Sequence, residues 1–254
     1  MAAEDAGKRL LKLFHGSKLK VAKKYDYPGS IVTNADHEAE RLILARIRRS
    51  HIECSVDCEE SGRLDFGSRD LVWAIDPLDG TLNYAKKIPY FAVSIGVLRT
   101  GRTILGVIYN PILDELYTAI RGRGAQMNGK RIRASSACSL TDSSLIFDWW
   151  EPEPSIPDPL DLARGMYRYT RTLRSPGSVA LNLCAVAAGR FDGLITVYRK
   201  APVFETAAGS LIAAEAGAKV TNSLDESWEG FSRSLIAGGV NVHSKLMKLV
   251  QRGE

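Results

Sequence analysis

Asp76 and Asp79 stand three residues apart in the segment DPLDGT, where residue types and spacing suit metal and phosphate chemistry. The β-rich apolar run 71–75 leads directly into Asp76, and the proline after it removes a backbone donor, so we expect the strand to end there in a fixed turn. Gly80 allows close backbone approach to a ligand, and Thr81 adds a hydroxyl. A short helix beginning at Thr81 would present free N–H groups that bind anions beside the carboxylates.

Two interpretations of this segment stay open at this point. Carboxylates that hold Mg²⁺ next to amides that hold phosphate are the parts that a phosphate-ester hydrolase needs. An ordinary Asp-Pro, Asp-Gly turn that caps a helix has the same residues, and such turns are common.

A second acidic pair precedes the first along the chain. Residues 51–58 are expected to form a strand that delivers Glu59 and Glu60 to its end, where adjacent glutamates are usually solvated surface charge. If this strand lies beside the strand over residues 71–75, four carboxylates converge at one edge and repel one another. Mg²⁺ or Mn²⁺, which prefer hard oxygen ligands, would neutralise such a cluster.

Composition and charge describe an ordinary globular protein. The chain has 254 residues, of which 45% are hydrophobic and 25% charged, enough for one large domain or two fused halves. The net charge is +5, but short basic clusters are interrupted by apolar residues, which favours solvated helix faces over a nucleic-acid groove. A modest positive field also favours anionic substrates.

Cysteine usage and hydropathy indicate a cytoplasmic protein with no membrane partner. The four cysteines form no CxxC pair and no zinc-type pattern with histidine, so unpaired thiols in a reducing compartment are expected. The first residues lack the apolar stretch of a signal peptide, and no run approaches the length of a membrane span.

The first half, residues 1–148, is predicted to be a helix pair on a largely antiparallel sheet, the half that binds metal. Apolar spacing predicts helices over residues 2–24, with a break at Gly16, and 36–50. Turn-like connections suited to hairpins separate three further strands, predicted at 90–98, 103–110 and 115–120.

The second half, residues 149–254, begins in the Pro-rich segment 149–160 and is predicted to be a layered α/β unit that completes the site within one compact molecule. Trp149 and Trp150 are either a recognition surface or loop anchors. The predicted helices and strands alternate along this half: helices 160–169, 179–188, 205–216 and 241–250, and strands 170–174, 193–198 and 234–237.

Taken together, Glu59-Glu60, DPLDGT and a late acidic residue before AAG resemble the inositol monophosphatase family. This family of lithium-sensitive, Mg²⁺-dependent phosphomonoesterases includes fructose-1,6-bisphosphatases and nucleotide 3′-phosphatases. The resemblance continues in VTNAD (32–36), PYFAVSIGVL (89–98), GVIYNP (106–111) and RSPGSVALNLCAVAAGRFDG (174–193). It implies an α/β (α+β) fold, the layered αβαβα sandwich of the sugar phosphatases, and a homodimer. The compact chain looks most like archaeal-type members with dual inositol monophosphatase and fructose-1,6-bisphosphatase activity.

The resemblance also implies the site, residue by residue. Two or three Mg²⁺ ions, for which Mn²⁺ is a possible substitute, would be held by Glu59, Asp76, the Leu78 carbonyl, Asp79 and Glu205. The residues similar to the family's catalytic ones are Glu59, Thr81 and Asp36, the last two orienting and activating the attacking water. The substrate would lie against Gly80, Thr81, Arg174, Ser175, Arg199 and Lys200.

Three departures from the family pattern qualify this expectation. Phe204-Glu205 stands where the family usually has Trp-Asp, so the carboxylate reaches one methylene further and a second Mg²⁺ binds more weakly or through a shifted backbone. An acid there also serves simply as a favourable helix-dipole partner. Tyr25 and Tyr27 occupy the region where the family often has a lysine shortly before a proline, with Lys24 adjacent. Arg199-Lys200 replaces a hydroxyl-binding glutamate, which suits a second phosphate or is only solvated charge.

The predicted function is therefore hydrolysis of inositol monophosphate, fructose 1,6-bisphosphate, or both, by in-line attack of an activated water. Two alternatives remain at this stage: an adenosine 3′,5′-bisphosphate phosphatase, and a catalytically weakened homologue that binds metal or sugar phosphate.

Overall fold

A computed structural model describes residues 1–16, 19–24, 30–149, 158–198, 202–228 and 234–252. Its helices, in chain order, are α1 (Ala2–Phe14), α2 (Asn34–Arg49), α3 (Thr81–Ala85), α4 (Pro159–Tyr169), α5 (Val179–Ala187), α6 (Val203–Glu215) and α7 (Val240–Arg252). Its strands are β1 (Val21–Lys23), β2 (Ile31–Thr33), β3 (Cys54–Cys58), β4 (Gly62–Asp79), β5 (Ala92–Arg99), β6 (Arg102–Asn110), β7 (Glu115–Ile120), β8 (Ala125–Met127), β9 (Lys130–Arg131), β10 (Ser144–Trp149), β11 (Thr172–Arg174), β12 (Gly193–Val197), β13 (Lys219–Thr221) and β14 (Ser234–Gly238).

These elements stack in five layers. Helices α1 and α2 pack on one face of a seven-stranded sheet, and α5 and α6 lie between that sheet and a five-stranded sheet. Helices α4 and α7 cover the outer face of the five-stranded sheet. The mixed α/β, layered αβαβα fold expected from the sequence is therefore confirmed. No helix among the described residues is both long and apolar enough to cross a bilayer.

The seven-stranded sheet has the order β3-β4-β5-β6-β7-β8-β9 and is antiparallel from β4 to β9. The turn between β5 and β6 is made by Thr100 and Gly101, both with positive φ, the geometry of a tight hairpin whose twist matches its strands. Helices α1 and α2 lie on one face of this largely antiparallel sheet.

The pairing of β3 with β4 decides where the acidic residues meet. Residues 62–66 run back along β3, the chain bends near Gly67, and residues 72–75 then pair with β3 in the same direction. Strands that run in the same direction end at the same edge of a sheet, and the Glu59 amide accordingly donates to the Ile75 carbonyl at 3.1 Å. The two predicted acidic segments are therefore neighbours.

The structure corrects two expectations in this half. Strand β4 does not end at Asp76 but continues to Asp79, with a bulge that sets Asp76 opposite Ser94 and Asp79 opposite Ala92. A proline without an N–H is accommodated within such a bulge, where no ladder bond is required of it. The helix expected over residues 2–24 stops at Phe14, and Val21–Lys23 pairs with β2 as an exposed strand.

The five-stranded sheet has the order β11-β10-β12-β14-β13 and includes β10 and β13, which the sequence did not indicate. Because β10 begins at Ser144, the second sheet starts before residue 149, and the division of the chain into halves at that residue stays a prediction. Trp149 ends β10, where it stacks on Phe147 at 5.5 Å and is 47% exposed. Trp150 lies outside the described residues.

Helices α5 and α6 are buried because sheets cover both of their sides. Every residue of α5 is buried, as are residues 206–213 of α6, so both helices are covered on all sides over these residues. Small residues bring the backbones together: a Cβ added to Gly106 of β6 would lie 2.7 Å from the Ala208 carbonyl of α6. This close packing fixes the beginning of α6, which carries Glu205, against the seven-stranded sheet. The seven-stranded sheet is called the first sheet and the five-stranded sheet the second.

Candidate active site

The bulge at the end of β4 buries two carboxylates. Asp76 is 2% exposed and Asp79 is 5% exposed. Asp76 Oδ1 accepts from the Leu78 amide at 2.9 Å. Asp79 Oδ2 accepts from the Ala180 amide at 2.8 Å and from the Ser178 hydroxyl, so it joins the first sheet to the first turn of α5. A carboxylate at a helix N-terminus is stabilised by the free amides and by the helix dipole.

Gly80 turns the chain from β4 into α3, the short helix that the sequence predicts. Its φ is +95°, and a Cβ there would lie 3.0 Å from the Tyr90 carbonyl, so a larger residue would be both strained and crowded. The Thr81 hydroxyl lies 3.0 Å from Asp36 Oδ1 and 3.0 Å from the Leu78 carbonyl. The backbone bend therefore places the hydroxyl of Thr81 beside the buried carboxylate of Asp36.

Helix α2 supports both acidic segments from one face. Asp36 is fully buried and accepts from the Thr33 amide at 2.8 Å as well as from Thr81. One turn later, Glu40 accepts from the Glu60 amide at 3.2 Å and from the amide and hydroxyl of Ser61. Since residues four apart share a helix face, α2 holds Thr81, at the start of α3, with one carboxylate and the loop of Glu60 and Ser61 with the next.

A lysine lies between the two glutamates. Lys24 Nζ is 2.9 Å from Glu59 Oε1 and 2.8 Å from Glu60 Oε1. Burial raises the pKa of Glu60 to about 7, although the hydrogen bond from Lys24 opposes this shift. Burial alone would lower the pKa of Lys24, but the two carboxylates reverse the effect and raise it. The ammonium therefore stays charged.

Glu205 reaches this cluster from the far side of the chain. It lies in the first turn of α6, and the Tyr198 hydroxyl is 3.4 Å from its Oε2 atom. Burial raises the pKa of Glu205, and the charges of Glu59 and Asp79 raise it further. The structure thus brings Glu205 together with the acids of the first sheet.

The carboxylates of the cluster raise one another's pKa. Burial is the largest cause of the raised pKa of Asp36, of Asp76 and of Asp79, the last to about 7, and the charge of Glu59 adds to the shift in each of the three. Buried carboxylates that remain this close without enough positive charge are destabilised in their ionised form. The cluster therefore favours an added cation.

The donor set fits a hard divalent cation, although its carboxylates bond to other groups of the protein. All the converging side-chain donors are carboxylate oxygens, which Mg²⁺ prefers. Among the described residues, no group of three or more His, Cys, Asp or Glu stands where it could hold a metal ion. In this arrangement Glu59 is instead bonded to Lys24, Asp76 to the Leu78 amide, and Asp79 to Ser178.

The residues expected to contact substrate are partly described. The Ser175 hydroxyl donates to Asp148 Oδ1 at 2.6 Å, and Asn182 donates to the other oxygen of Asp148. The Tyr90 hydroxyl donates to Asn182 Oδ1 at 2.8 Å. Arg174 is exposed and donates to the adjacent Leu173 carbonyl at 3.1 Å. Arg199, Lys200 and the tyrosines that flank Asp26 lie outside the described residues.

Comparison with known proteins decides the family. A sequence model described as "Inositol monophosphatase family" matches residues 1–253. The chain belongs to the inositol monophosphatase family. The family is one of metal-dependent sugar-phosphate phosphatases, and the role of the DPLDGT segment in this chain stays a prediction.

Several relatives of this inositol monophosphatase family member are similar over most of their length. The Nus factor SuhB of Escherichia coli strain K12 is 38% identical over 213 residues, which span 80% of this chain and 79% of the relative. The crystal structure of the extragenic suppressor protein SuhB from Bartonella henselae has a TM-score of 0.91 at 33% identity and covers 100% of this chain and 96% of its own.

Solved inositol monophosphatases are also similar. The enzyme from Anabaena (Nostoc) has a TM-score of 0.84 at 33% identity, with 99% of this chain and 92% of its own covered. An inositol monophosphatase–fructose 1,6-bisphosphatase has a TM-score of 0.81 at 23% identity, covering 98% of this chain and 96% of its own. At that identity the likeness is one of fold.

Several residues that hold the site residues of this chain in place are not indicated as site residues by the sequence. Glu40 could have been found, because it follows Asp36 by one helical turn. Asp148, Ser178 and Tyr198 carry no such signal, since their partners lie far away in sequence. For Lys24, the sequence indicates only that it adjoins the region where the family often has a lysine.

Proposed function

We propose that the protein is a Mg²⁺-dependent phosphomonoesterase that hydrolyses a sugar phosphate, inositol monophosphate and/or fructose 1,6-bisphosphate. The observation that carries this proposal is the convergence of Glu59 and Glu205, both partly buried, with the buried Asp76 and Asp79 in one acidic cluster. The cluster lies beside the Thr81–Asp36 pair, which offers a hydroxyl and a carboxylate next to it. Membership of a phosphatase family supports the same class of reaction.

Each residue has a role in the proposed site. Glu59, Asp76, the Leu78 carbonyl, Asp79 and Glu205 would hold two or three Mg²⁺, or Mn²⁺ as a substitute. Bound divalent cations supply Lewis acidity, which lowers the pKa of water and stabilises a departing alkoxide.

The remaining roles belong to the chain itself. Asp36 fixes the Thr81 hydroxyl, and the pair orients a water for in-line attack on phosphorus without a covalent phosphoenzyme. The amides of Gly80 and Thr81 bind phosphate oxygens, and Ser175, held by Asp148, lines the substrate pocket with Arg174. Arg199 and Lys200 are proposed to bind a second phosphate. Positioning and electrostatics account for most of the rate in such a reaction.

A phosphate-release panel tests the proposal. Inositol 1-phosphate, fructose 1,6-bisphosphate and adenosine 3′,5′-bisphosphate are offered with Mg²⁺ and with chelator, and release from a sugar phosphate only with Mg²⁺ is expected. Inhibition by millimolar Li⁺ is expected from the family. Release from the nucleotide alone would replace this proposal with the nucleotide-phosphatase alternative.

The weakened-homologue alternative is tested at Glu205. A feeble wild type that gains large activity in Glu205→Asp would support that alternative. We expect instead that the wild type is active with Mg²⁺ and that the Glu205→Ala variant is inactive. The variant lacks a carboxylate that lies close enough to Glu59 and Asp79 for their charges to raise its pKa.

A second candidate function rests on the SuhB relatives, which are named Nus factors and are 38% identical to this chain. Expression of the wild type and of Asp76→Asn in an E. coli strain that lacks SuhB separates the two functions. Rescue by both proteins would assign the chain a Nus-factor role that does not need the acidic cluster. Rescue by neither would remove this candidate.

Two further properties belong to the proposal. A homodimer is expected from the family. A cytoplasmic location agrees with Cys54, Cys58, Cys138 and Cys184, which are all free thiols.

A further inference from the structure

The Lys24 ammonium is placed as a cation within the acidic cluster. Its side chain is 11% exposed, beside Glu59 at 17% and Glu60 at 4%. Exposed lysine ion pairs contribute little because water screens them, whereas a pair this far from water is screened much less. The two short contacts to different carboxylates therefore indicate a built-in counter-charge rather than a surface pair.

Glu59 is the carboxylate that the rest of the cluster shares. Its charge raises the pKa of five other carboxyls, those of Asp36, Glu60, Asp76, Asp79 and Glu205. An ammonium bonded to Glu59 therefore relieves repulsion throughout the cluster. The charge of Lys24 also acts directly on Glu205, whose pKa it lowers.

The same contacts compete with a divalent cation. Mg²⁺ binds carboxylate oxygens at about 2.0–2.1 Å and requires near-octahedral geometry. An ammonium 2.9 Å from Glu59 Oε1 would lie within a few ångströms of a cation on that carboxylate, where like charges repel.

Only the side chain of Lys24 has to move to release Glu59. The Lys24 amide donates to the Ser30 carbonyl at 3.1 Å, next to the β1–β2 pair, so the backbone is held. The lysine side chain has a flexible four-carbon stem. Rotation of that stem would carry the ammonium away without unfolding the segment.

We propose that Lys24 is a displaceable counter-cation, which occupies a cation position at Glu59 and Glu60 in the metal-free protein and leaves it when a divalent cation binds there. The inference deepens the proposed function and rests on its cation site. It predicts that Lys24 stabilises the metal-free protein and weakens the binding of divalent cations.

Lys24→Met tests this directly, because methionine keeps much of the apolar stem and removes the charge. Lys20→Met is the matched control, an exposed lysine four residues earlier. Mn²⁺ binding to chelator-stripped protein is measured by electron paramagnetic resonance, and the unfolding temperature is measured with and without Mg²⁺. We expect Lys24→Met to bind Mn²⁺ roughly tenfold more tightly, a change of about 1.4 kcal/mol. Its metal-free unfolding temperature should fall, and Lys20→Met should match the wild type.

A second measurement needs no variant. Acetic anhydride labelling of the wild type, read by mass spectrometry, should modify Lys24 several-fold faster with Mg²⁺ than with chelator, with Lys20 unchanged. This readout remains available if Lys24→Met fails to fold.

The outcomes separate this inference from the proposed function. Equal or weaker Mn²⁺ binding in a folded Lys24→Met, or Lys24 labelling that Mg²⁺ leaves unchanged, would overturn the counter-cation role while a wild type that binds Mn²⁺ keeps its cation site. Absence of Mn²⁺ binding in both proteins would overturn the cation site and this inference together. Binding by Lys24→Met alone would support the inference in its strongest form.

Discussion

The two sides of the candidate site are stabilised in opposite ways. On the first-sheet side, Asp76 and Asp79 are buried among other carboxylates, so that their charges are incompletely compensated. On the second-sheet side, Asp148 is equally buried, and burial raises its pKa, but neutral donors from Ser175 and Asn182 lower it again. The first-sheet side therefore favours the binding of a cation. On the second-sheet side, hydrogen bonds from Ser175 and Asn182 stabilise the charge of Asp148 and hold these residues in place.

Removing one charge from the first side should have the largest effect. Asp76→Asn is expected to lower turnover by about 10³-fold, because a carboxylate that two cations would share is lost. The metal-free protein should become more stable, since a buried carboxylate repelled by Glu59 and Asp79 is replaced by a neutral amide. Phosphate release and thermal unfolding in chelator measure the two effects. Normal Mg²⁺-dependent turnover would be incompatible with the proposed site.

Loosening the support of the first side should have a smaller effect. Glu40→Gln replaces the carboxylate that accepts from the Glu60 and Ser61 amides, so the loop carrying Glu59 loses its charged anchor. We expect Mn²⁺ affinity to fall by about 10–100-fold, the usual cost of losing such a supporting group. Glu38→Gln on the same helix is the control, because Glu38 pairs instead with Arg9. Unchanged Mn²⁺ affinity in Glu40→Gln would show that the loop needs no anchor.

A change on the second side should affect substrate rather than cations. Asp148→Asn weakens the acceptor that fixes Ser175 and Asn182, so the segment around Ser175 is held less firmly. We expect KM for the sugar phosphate to rise by about tenfold, which corresponds to the binding energy of one to two hydrogen bonds. The affinity for Mn²⁺ should stay within about twofold of the wild-type value. If the affinity for Mn²⁺ fell by the same factor as KM rose, Asp148 would support the cation site as well as the substrate site, and the two sides would not be separate in function.

The smallest effect is expected outside the site, in a residue buried beneath the second sheet. Burial, with help from the Lys219 ammonium and against Asp225, lowers the pKa of His243 to about 4, and its Nε2 atom lies 2.8 Å from the Thr221 hydroxyl. His243 binds a proton near pH 6.5 in the unfolded chain but only near pH 4 in the folded protein. Its contribution to the free energy of unfolding is therefore fully present above pH 6.5 and is lost as the pH falls from 6.5 to about 4.

We expect His243 to account for about 1–2 kcal/mol of that loss, measured by urea unfolding from pH 7 to 4. His243→Gln should flatten this part of the profile, whereas His37→Gln, at an exposed position, should not. An unchanged profile in His243→Gln would assign the loss to other groups.

The sequence predicted what depends on local chemistry. Alternation and turn residues located the hairpins of the first sheet, and the Asp-Pro and Gly-Thr pairs located a bend followed by a short helix. The convergence of Glu59 with Asp76 was foreseen only as a condition, because parallel pairing of β3 with residues 72–75 leaves no local signal.

Contacts between distant segments were not predictable in the same way. Asp79 with Ser178, and Asp148 with Ser175, depend on how the two sheets pack around α5, which no spacing in one sequence records. Short strands such as β13 are set by the edge that β14 offers, because three residues are too few to identify a strand even though Val220 and Thr221 favour extended structure. The bulge at Pro77 likewise reflects pairing with β5 rather than the local preference to stop.

The double pairing of β3 also has a consequence during synthesis of the chain. Strand β3 pairs on one side with residues 62–66 and on the other side with residues 72–75. The second pairing cannot form until residues 72–75 have left the ribosome. A nascent chain arrested before Val72 would expose one flank of β3, with unpaired N–H and C=O groups open to other chains. The edge of the sheet that carries Glu59 and Asp76 therefore cannot form until residues 72–76 have left the ribosome.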